Sequence, residues 1–461
     1  MSEVYDESLN YFQNHKNEYL EDLCKFVRIP SISADSSYKK DIEKTALWLS
    51  DYLKSIGIEK IEIFNTSLFP IVFGEYSKAG PENPTMLIYG HYDVQPADPI
   101  DQWITDPFSP EIKNGQLFAR GSSDMKGQLI VSLAAIDSIL HTNLLPINIK
   151  FLLEGEEEIG SPNIVEFITN HKELLKSDFV LNLDAGMIAP DLPTITYGLR
   201  GLAYFELYVH GPEHDLHSGL FGGIVHNPAL ALCEILTGMK DKEDKILLPG
   251  FYDDVIPLSI DERQELARLP LDDDFYKSQT GVNLLVGEKG YSSTERVSAR
   301  PTLDIHGIYS GYIGIGPKTV IPSYAMAKFS CRLVPRQEPA RIYQQLIDYL
   351  NHNAPKTIQW EVKQLSSDTP CVINRNFPPT TRFSTSLEKI WNVKPVYKRE
   401  GGSIPIVSYM SDILGIQSIL SGFALPDDRA HSPNERLNLD LWEKGVKTVI
   451  NFILSFTEAA N

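Results

Sequence analysis

Cysteine is scarce. The four in 461 residues (Cys24, Cys233, Cys331 and Cys371) lie far apart and form no CxxC pair. In a chain this long that argues against a disulfide scaffold and for reduced thiols. No uncharged apolar run approaches the ~18 residues needed to cross a bilayer. The opening stretch MSEVYDESLNYFQNHKNEYL is polar and acidic, without the apolar segment of a secretory leader. Positive charge is short as well: Lys plus Arg is 42 against 61 for Asp plus Glu, a net charge of −19. Such a chain repels phosphate backbones and anionic lipid, which counts against nucleic-acid and membrane partners. No GxGxxG or GxSxG occurs, so nicotinamide and serine-hydrolase readings lose their main support. Gly311 and Gly316 have the spacing of a phosphate-cradling loop, but Pro317 stands where Lys is required. The expectation is a soluble cytoplasmic protein.

What is present is ordinary globular composition, 42% hydrophobic and 22% charged, in a chain long enough for two or three domains. Ile42, Ala46, Leu49 and Leu53 fall on one helical face, and Gly57 supplies a stop. KIEIF (60–64), PIVFGEY (70–76) and TMLIYG (85–90) read as strands. Leu129, Leu133, Ile136 and Leu140 again have helical spacing, and INIKFLLEG (147–155) and DFVLNLDAG (178–186) are near-continuous apolar runs of strand length. Apolar strands separated by helices predict a mostly parallel sheet covered on both faces. Near residue 198 the texture changes. LAYFELYVHG (202–211), AMAKFSCRLVP (325–335) and TIQWEVKQL (357–365) read as strands, with helices at 226–240 and 340–350 and acidic loops across 241–300. The first pattern resumes near 382 and ends in a helix at 441–456. The fold expected is a main α/β domain, residues 1–197 and 369–461, interrupted by a smaller α+β domain at 198–368.

Acidic and imidazole groups gather just after the predicted strands: His91 and Asp93 after TMLIYG, Glu156, Glu157 and Glu158 after IKFLLEG, Asp184 after FVLNL. Asp124 stands at the mouth of the 125–141 helix and His431 in the late loop RAHSPNE. In an open parallel sheet the carboxyl ends of the strands converge on one crevice, where ligands bind. Imidazole plus carboxylate is the donor set of a hydrolytic zinc or manganese site. A carboxylate two residues from a ligand His, as in His91-x-Asp93, can accept the other ring N–H. Singly, each residue has an ordinary reading: a surface His, a solvated helix start for the Glu run, a turn residue or N-cap for Asp184. The joint pattern leaves a metal site and ordinary turn residues equally open, and it does not identify a reaction.

The segments YGHYDVQP (89–96), FARGSSDMKG (118–127), LLEGEEEIGS (152–161), LDAG (183–186), TYGLRG (196–201), DLHSGLFGG (215–223), KTVIP (318–322), FSCRLVP (329–335), REGGSIP (399–405) and AHSPNE (430–435) resemble, in order, those of the dinuclear metallopeptidase and deacylase superfamily. TYGLRG, DLHSG and REGGSIP are most similar to its carnosine and Cys-Gly dipeptidase branch. The resemblance implies two divalent cations per subunit, Zn2+ first with Mn2+ or Co2+ as alternatives. His91 and Asp184 would hold one, Glu158 and His431 the other, and Asp124 both. Asp93 would orient His91 and Glu157 would be the general base. Glu157-Glu158-Ile159-Gly160-Ser161 fits the family's Glu-Glu-x-Gly-Ser without a gap, whereas Glu156-Glu157 would need an insertion. A cis peptide after Asp124 is also implied.

Arg332 would face the substrate's α-carboxylate, with His217, Thr319, Glu400, Gly402 and Ser403 also binding substrate. The resemblance further implies a ferredoxin-like lid domain that dimerises and passes His217 and Thr319 into the neighbouring subunit's cleft. The branch often carries a His in a glycine-containing loop, whereas the corresponding 366–370 has none. The implied activity is hydrolysis of an amide bond in dipeptides by a metal-activated water. The alternatives are an N-acyl amino acid deacylase on the same fold and a catalytically dead binding protein.

Overall fold

The computed structural model describes residues 2–457, which divide into two compact units. The first takes the chain up to Tyr197, then Ile373–Tyr397 and the chain from Tyr409. The second takes Gly198–Val372 and Lys398–Ser408.

The sheet of the first unit is parallel at its centre. Asn148–Glu154 pairs with Thr85–His91, Thr85–His91 with Phe179–Asn182, and Phe179–Asn182 with Gln417–Leu420, all parallel. Lys60–Phe64 and Ile71–Tyr76 add antiparallel strands beyond Asn148–Glu154, and Thr194–Leu199 meets Gln417–Leu420 antiparallel. Every residue of Asn148–Glu154 is buried, as a strand covered on both faces requires.

Helix Lys126–Leu140 makes the crossover between two of these strands. The sequence spacing predicts one buried stripe, but residues 126–139 are buried all round. Helices Ser2–Val27 and Leu439–Leu454 pack against it, so it is a core element rather than a surface one.

The second unit is a four-stranded antiparallel sheet in the order Thr302–Ser310, Tyr324–Leu333, Gly201–His210, Gln359–Asp368. With helices Pro228–Gly238 and Pro339–Asn353 the chain order is βαββαβ, the ferredoxin-like arrangement. Gly201–His210 alternates buried and half-buried residues, which leaves Phe205, Leu207 and Val209 in a core with Leu232, Phe329 and Leu346. The segment expected as loops over 241–300 instead contains helices Ile260–Leu266, Asp273–Thr280 and Ser293–Ala299, capped by Ser259, Asp272 and Ser292. Ser292 and Glu295 form a reciprocal capping box.

The strand ends that carry the acidic residues are held by close backbone approach. Ala185 N–H donates to Ser421 O at 3.0 Å and Met187 N–H to Ala424 O at 2.8 Å. A Cβ on Gly422 would lie 1.7 Å from Ala185 O and 2.6 Å from Leu183 O. Gly422→Ala should therefore destabilise the protein by at least ~1–3 kcal/mol, read as a lower urea midpoint. Gly402→Ala, where no heavy atom lies within 4 Å of the added Cβ, should stay within about 0.5 kcal/mol of the parent.

Candidate metal centre

The first unit brings seven of the eight acid and imidazole residues of the sequence pattern, all but Glu156, to one end of its sheet. His91 is the last residue of its strand, and Asp184 follows the end of Phe179–Asn182 by two residues, its N–H donating to Asn182 Oδ1 at 2.8 Å. Asp124 precedes the Lys126–Leu140 helix, and the Asp124–Met125 peptide is cis.

Two groups of ligand-type atoms result, His91 with Asp124 and Asp184, and Asp124 with Glu158 and His431, each with all its atoms within 4.8 Å of one another. Asp124 belongs to both and turns one oxygen to each. Its Oδ1 lies 3.1 Å from His91 Nε2 and its Oδ2 lies 2.9 Å from His431 Nε2. His431 Nε2 is 3.2 Å from Glu158 Oε2, and His91 Nε2 is 3.7 Å from Asp184 Oδ1. Each group offers an imidazole and two carboxylates, a donor set suited to a divalent cation.

Electrostatics point the same way. Burial alone would strip His91 of its charge, but Asp184, Asp124 and Asp93 outweigh it and raise its pKa well above the usual value. Hydrogen bonds to Asp124 and Glu158 push His431 up to about 10. Burial would raise Asp124, yet His431 and His91 hold it below the ordinary carboxylate range. Glu157 is raised well above its usual value, mainly by burial; His91 works against this, while Asp184, Glu158 and Asp124 add to it. The protein thus gathers more negative charge than its imidazoles neutralise, so protons are retained where cations could replace them.

Three consecutive glutamates have three environments. Glu156 is buried away from this cluster, its Oε1 accepting from Thr66 Oγ1 at 2.8 Å and Phe69 N–H at 2.9 Å, its Oε2 from Asn163 N–H at 3.2 Å. Glu158 faces His431 and accepts from Gln95 Nε2 at 2.8 Å. Glu157 lies between them in the same short 3-10 turn. Asp93 sets that turn: its two oxygens accept from the N–H groups of Glu157 (3.3 Å) and Glu158 (3.1 Å). The same carboxylate lies 3.4 Å from His91 Nδ1, leaving Nε2 to face Asp124.

One residue was invisible as a functional group in the sequence. Glu435 is fully buried and accepts from Gly121 N–H (2.8 Å), Ser123 N–H (2.8 Å) and Asp124 N–H (3.0 Å), while Arg120 Nη1 pairs with it at 2.8 Å. Its signal was its place in AHSPNE, four residues after His431, but its partners lie more than 300 residues earlier.

The residues expected to bind substrate lie in the second unit, in two groups. Arg332 Nη1 donates to Ser403 Oγ at 3.1 Å, Ser403 Oγ donates to Arg200 O at 2.9 Å, and Arg200 Nε donates to Gly401 O at 2.9 Å. Glu400 pairs with Lys398 at 2.7 Å, and Gly402 sits in the same loop. Arg200, in TYGLRG, was not singled out by sequence. His217 is exposed and its Nδ1 accepts from Gly219 N–H at 3.0 Å, which leaves the ring proton on Nε2. Thr319 is beside it, its carbonyl accepting from Ser218 N–H at 3.1 Å.

A parallel α/β sheet whose strand ends carry two imidazole–carboxylate groups joined through one aspartate is the framework of a two-metal hydrolase. Residues 87–455 match Peptidase family M20/M25/M40, and the chain belongs to that family. It is a metallopeptidase. The chain is 32% identical over 468 residues to a Cys-Gly metallodipeptidase of Candida albicans, covering 96% of each. It is 29% identical over 473 residues to the human beta-Ala-His dipeptidase, covering 99% of this chain and 93% of that one. Among solved structures it resembles an M20 family metallo-carboxypeptidase from Sulfolobus solfataricus, with a TM-score of 0.84 and 33% identity over 95% of this chain and 99% of the other. No helix among the described residues is long and apolar enough to cross a membrane.

Removing the Glu435 carboxylate would leave Arg120 buried without its partner, a loss of ~3–5 kcal/mol. Glu435→Ala should lower the thermal midpoint accordingly. The milder Glu435→Gln should weaken metal binding by about 10–100-fold, measured by titrating metal-free protein.

Proposed function

We propose that this chain hydrolyses dipeptides with a pair of divalent cations. The observation that carries the reading is the division of the Asp124 carboxylate between two ligand groups. His91 and Asp184 complete one site and Glu158 and His431 the other. Zn2+ suits tetrahedral imidazole–carboxylate donors best, with Mn2+ or Co2+ as alternatives. The bound cations supply Lewis acidity, acidifying a water and polarising the scissile carbonyl.

The rest falls to the protein's own groups. Glu157, a buried carboxylate with a raised pKa, is suited to take the water's proton and pass it to the leaving nitrogen. Asp93 holds the backbone of Glu157 and the Nδ1 edge of His91 together, so base and ligand share one support. Arg332 anchors the substrate's α-carboxylate through a two-pronged guanidinium pair, with Ser403, Glu400 and Gly402 shaping the adjoining loop. His217 carries its proton on Nε2, the tautomer able to donate to a developing oxyanion.

The second unit, in this reading, is a lid that also forms a homodimer, with His217 and Thr319 acting in the neighbour's site. Leu220, Ile224, Ile313 and Ile315, which flank those two residues in the chain, are all exposed, as side chains destined for a partner would be. No two of the four cysteines are joined in a disulfide, in keeping with a cytoplasmic enzyme. Hydrolysis of N-acyl amino acids is not favoured, because both relatives matched over nearly the whole chain are dipeptidases.

Glu157→Gln should retain both metals and lose about 10²–10⁴-fold in kcat. Glu156→Gln should act on stability instead, because its carboxylate ties the 66–69 loop to Asn163. Steady-state kinetics, metal analysis and thermal unfolding on the two variants separate these outcomes, and the reverse pattern would shift the base to Glu156.

Sharing of the site has its own test. Inactive His217→Ala subunits mixed with inactive Glu157→Gln subunits should regain activity, since a hybrid dimer holds one site with both groups intact. No recovery despite proven subunit exchange would exclude sharing.

A further inference from the structure

The second unit contains a cavity of about 310 Å³ that the chemistry above leaves unused. It begins beside the Arg332 network. Thr302 lines it and is the cross-strand partner of Arg332, on the same face of the sheet. Arg200, which binds the Gly401 carbonyl and accepts from Ser403, forms another part of its wall. An α-carboxylate held by Arg332 sits on the same carbon as the side chain of the C-terminal residue. That side chain must therefore find room next to the guanidinium, and this cavity is adjacent space.

Its walls are cationic in a chain of net charge −19. Arg200, Lys240, Arg296 and Arg300 line it, against Asp244, Glu288 and Asp304. Glu288 is taken by Arg300 through two bonds of 2.6 and 2.7 Å, and Asp304 accepts from Thr302 Oγ1 at 2.8 Å. Arg296 commits Nε to the Glu288 carbonyl at 3.0 Å. Among the described residues, Arg200, Lys240 and Arg296 form no ion pair with a carboxylate. The wall is shaped around one of them: a Cβ on Gly287 would lie 2.7 Å from Arg296 Cδ. Val286 and Val297 supply apolar surface for a short methylene stem.

We propose that this cavity receives the side chain of the peptide's C-terminal residue and selects an acidic one, glutamate or aspartate. The inference rests on Arg332 as the anchor of the α-carboxylate. The methylenes of a glutamate would lie against the valines, and its carboxylate would meet Arg296 and Lys240. Uncharged glutamine has the same shape and lacks the charge, so the pair isolates the cations' contribution.

The test compares kcat/KM of the metal-loaded enzyme for Ala-Glu, Ala-Gln, Ala-Ala and Ala-Lys. The expected order puts Ala-Glu about tenfold or more above Ala-Gln, the effect of one charge-assisted hydrogen bond, and Ala-Lys last. In Arg296→Gln/Lys240→Gln the Ala-Glu to Ala-Gln ratio should fall towards one, and Arg296→Glu should move the preference towards Ala-Lys. Equal rates for Ala-Glu and Ala-Gln in the parent enzyme would overturn the proposal whatever the variants do. A parental preference that survives in the double variant would overturn the cavity as its source. Arg332→Lys on Ala-Ala tells the two levels apart: a raised KM there with no Ala-Glu preference sinks only the cavity, whereas an unchanged KM removes the anchor and the cavity assignment with it.

Discussion

The buried Glu435 carboxylate is the constraint on which the metal end depends. A charge with no exposure is costly unless its lone pairs are filled, and here three backbone N–H groups and the Arg120 guanidinium fill them. Satisfying Glu435 therefore dictates the path of residues 120–124. That path ends at Asp124, the one side chain that both ligand groups share. Lys126 continues the same logic on the far side: fully buried, it donates to the carbonyls of Phe26 and Ile29 at 3.1 and 2.8 Å. The Asp124 loop is thus tied at both ends by buried charges to segments remote in sequence. An aspartate that turns one oxygen to each of two ligand groups has little tolerance for a mobile backbone.

The same economy of position separates the glutamates. Glu156, Glu157 and Glu158 are identical in chemistry and adjacent in the chain, and only environment separates the structural anchor Glu156 from the base and the ligand proposed for Glu157 and Glu158. Glu156 loses its freedom to Thr66, Phe69 and Asn163. Glu158 is drawn to His431 and Gln95. The Glu157 carboxylate has no hydrogen-bonding partner among the described residues, and burial raises its proton affinity. A carboxylate that must accept a proton near neutrality needs this combination, because strong donors would stabilise its charged form and weaken it as a base.

Much of this was legible in the sequence because it is local. Apolar strand runs followed by His91, Glu158 and Asp184 mark the ends of parallel strands, and the parallel sheet was read from them. The resemblance of the gapless Glu157-Glu158-Ile159-Gly160-Ser161 segment to the family's Glu-Glu-x-Gly-Ser sets Glu156 apart from its neighbours. Local signals also failed where a stronger one was overlooked. Ser259 with Glu262, and Ser292 with Glu295, have the spacing of helix caps, yet the acidic, proline-containing texture of 241–300 read as loop. Helix Lys126–Leu140 was recognised from one stripe, but its full burial follows from two helices at opposite ends of the chain. Glu435 and Asp124 are 311 residues apart, and no periodicity encodes such a pairing. Partnership of this kind is a property of the folded chain.

The second unit shows why the residues expected to bind substrate were the least legible part. Residues 398–408 belong to it although they follow a long return through the first unit, so Ser403 reaches Arg332 only after the chain has crossed back. Arg200 illustrates the consequence. In sequence it is one basic residue before a strand, with surface exposure as its ordinary reading. In the fold its Nε fixes Gly401 and its carbonyl orients the Ser403 hydroxyl that meets Arg332. Burial and the nearby Arg332 lower its pKa to about 10, against the opposing pull of Asp304 and Glu400. Two guanidiniums kept close repel one another, and an anion between or beside them would relieve that repulsion. On the proposed function that anion is the substrate, and the hydrolytic chemistry falls to the carboxylates and imidazoles of the first unit.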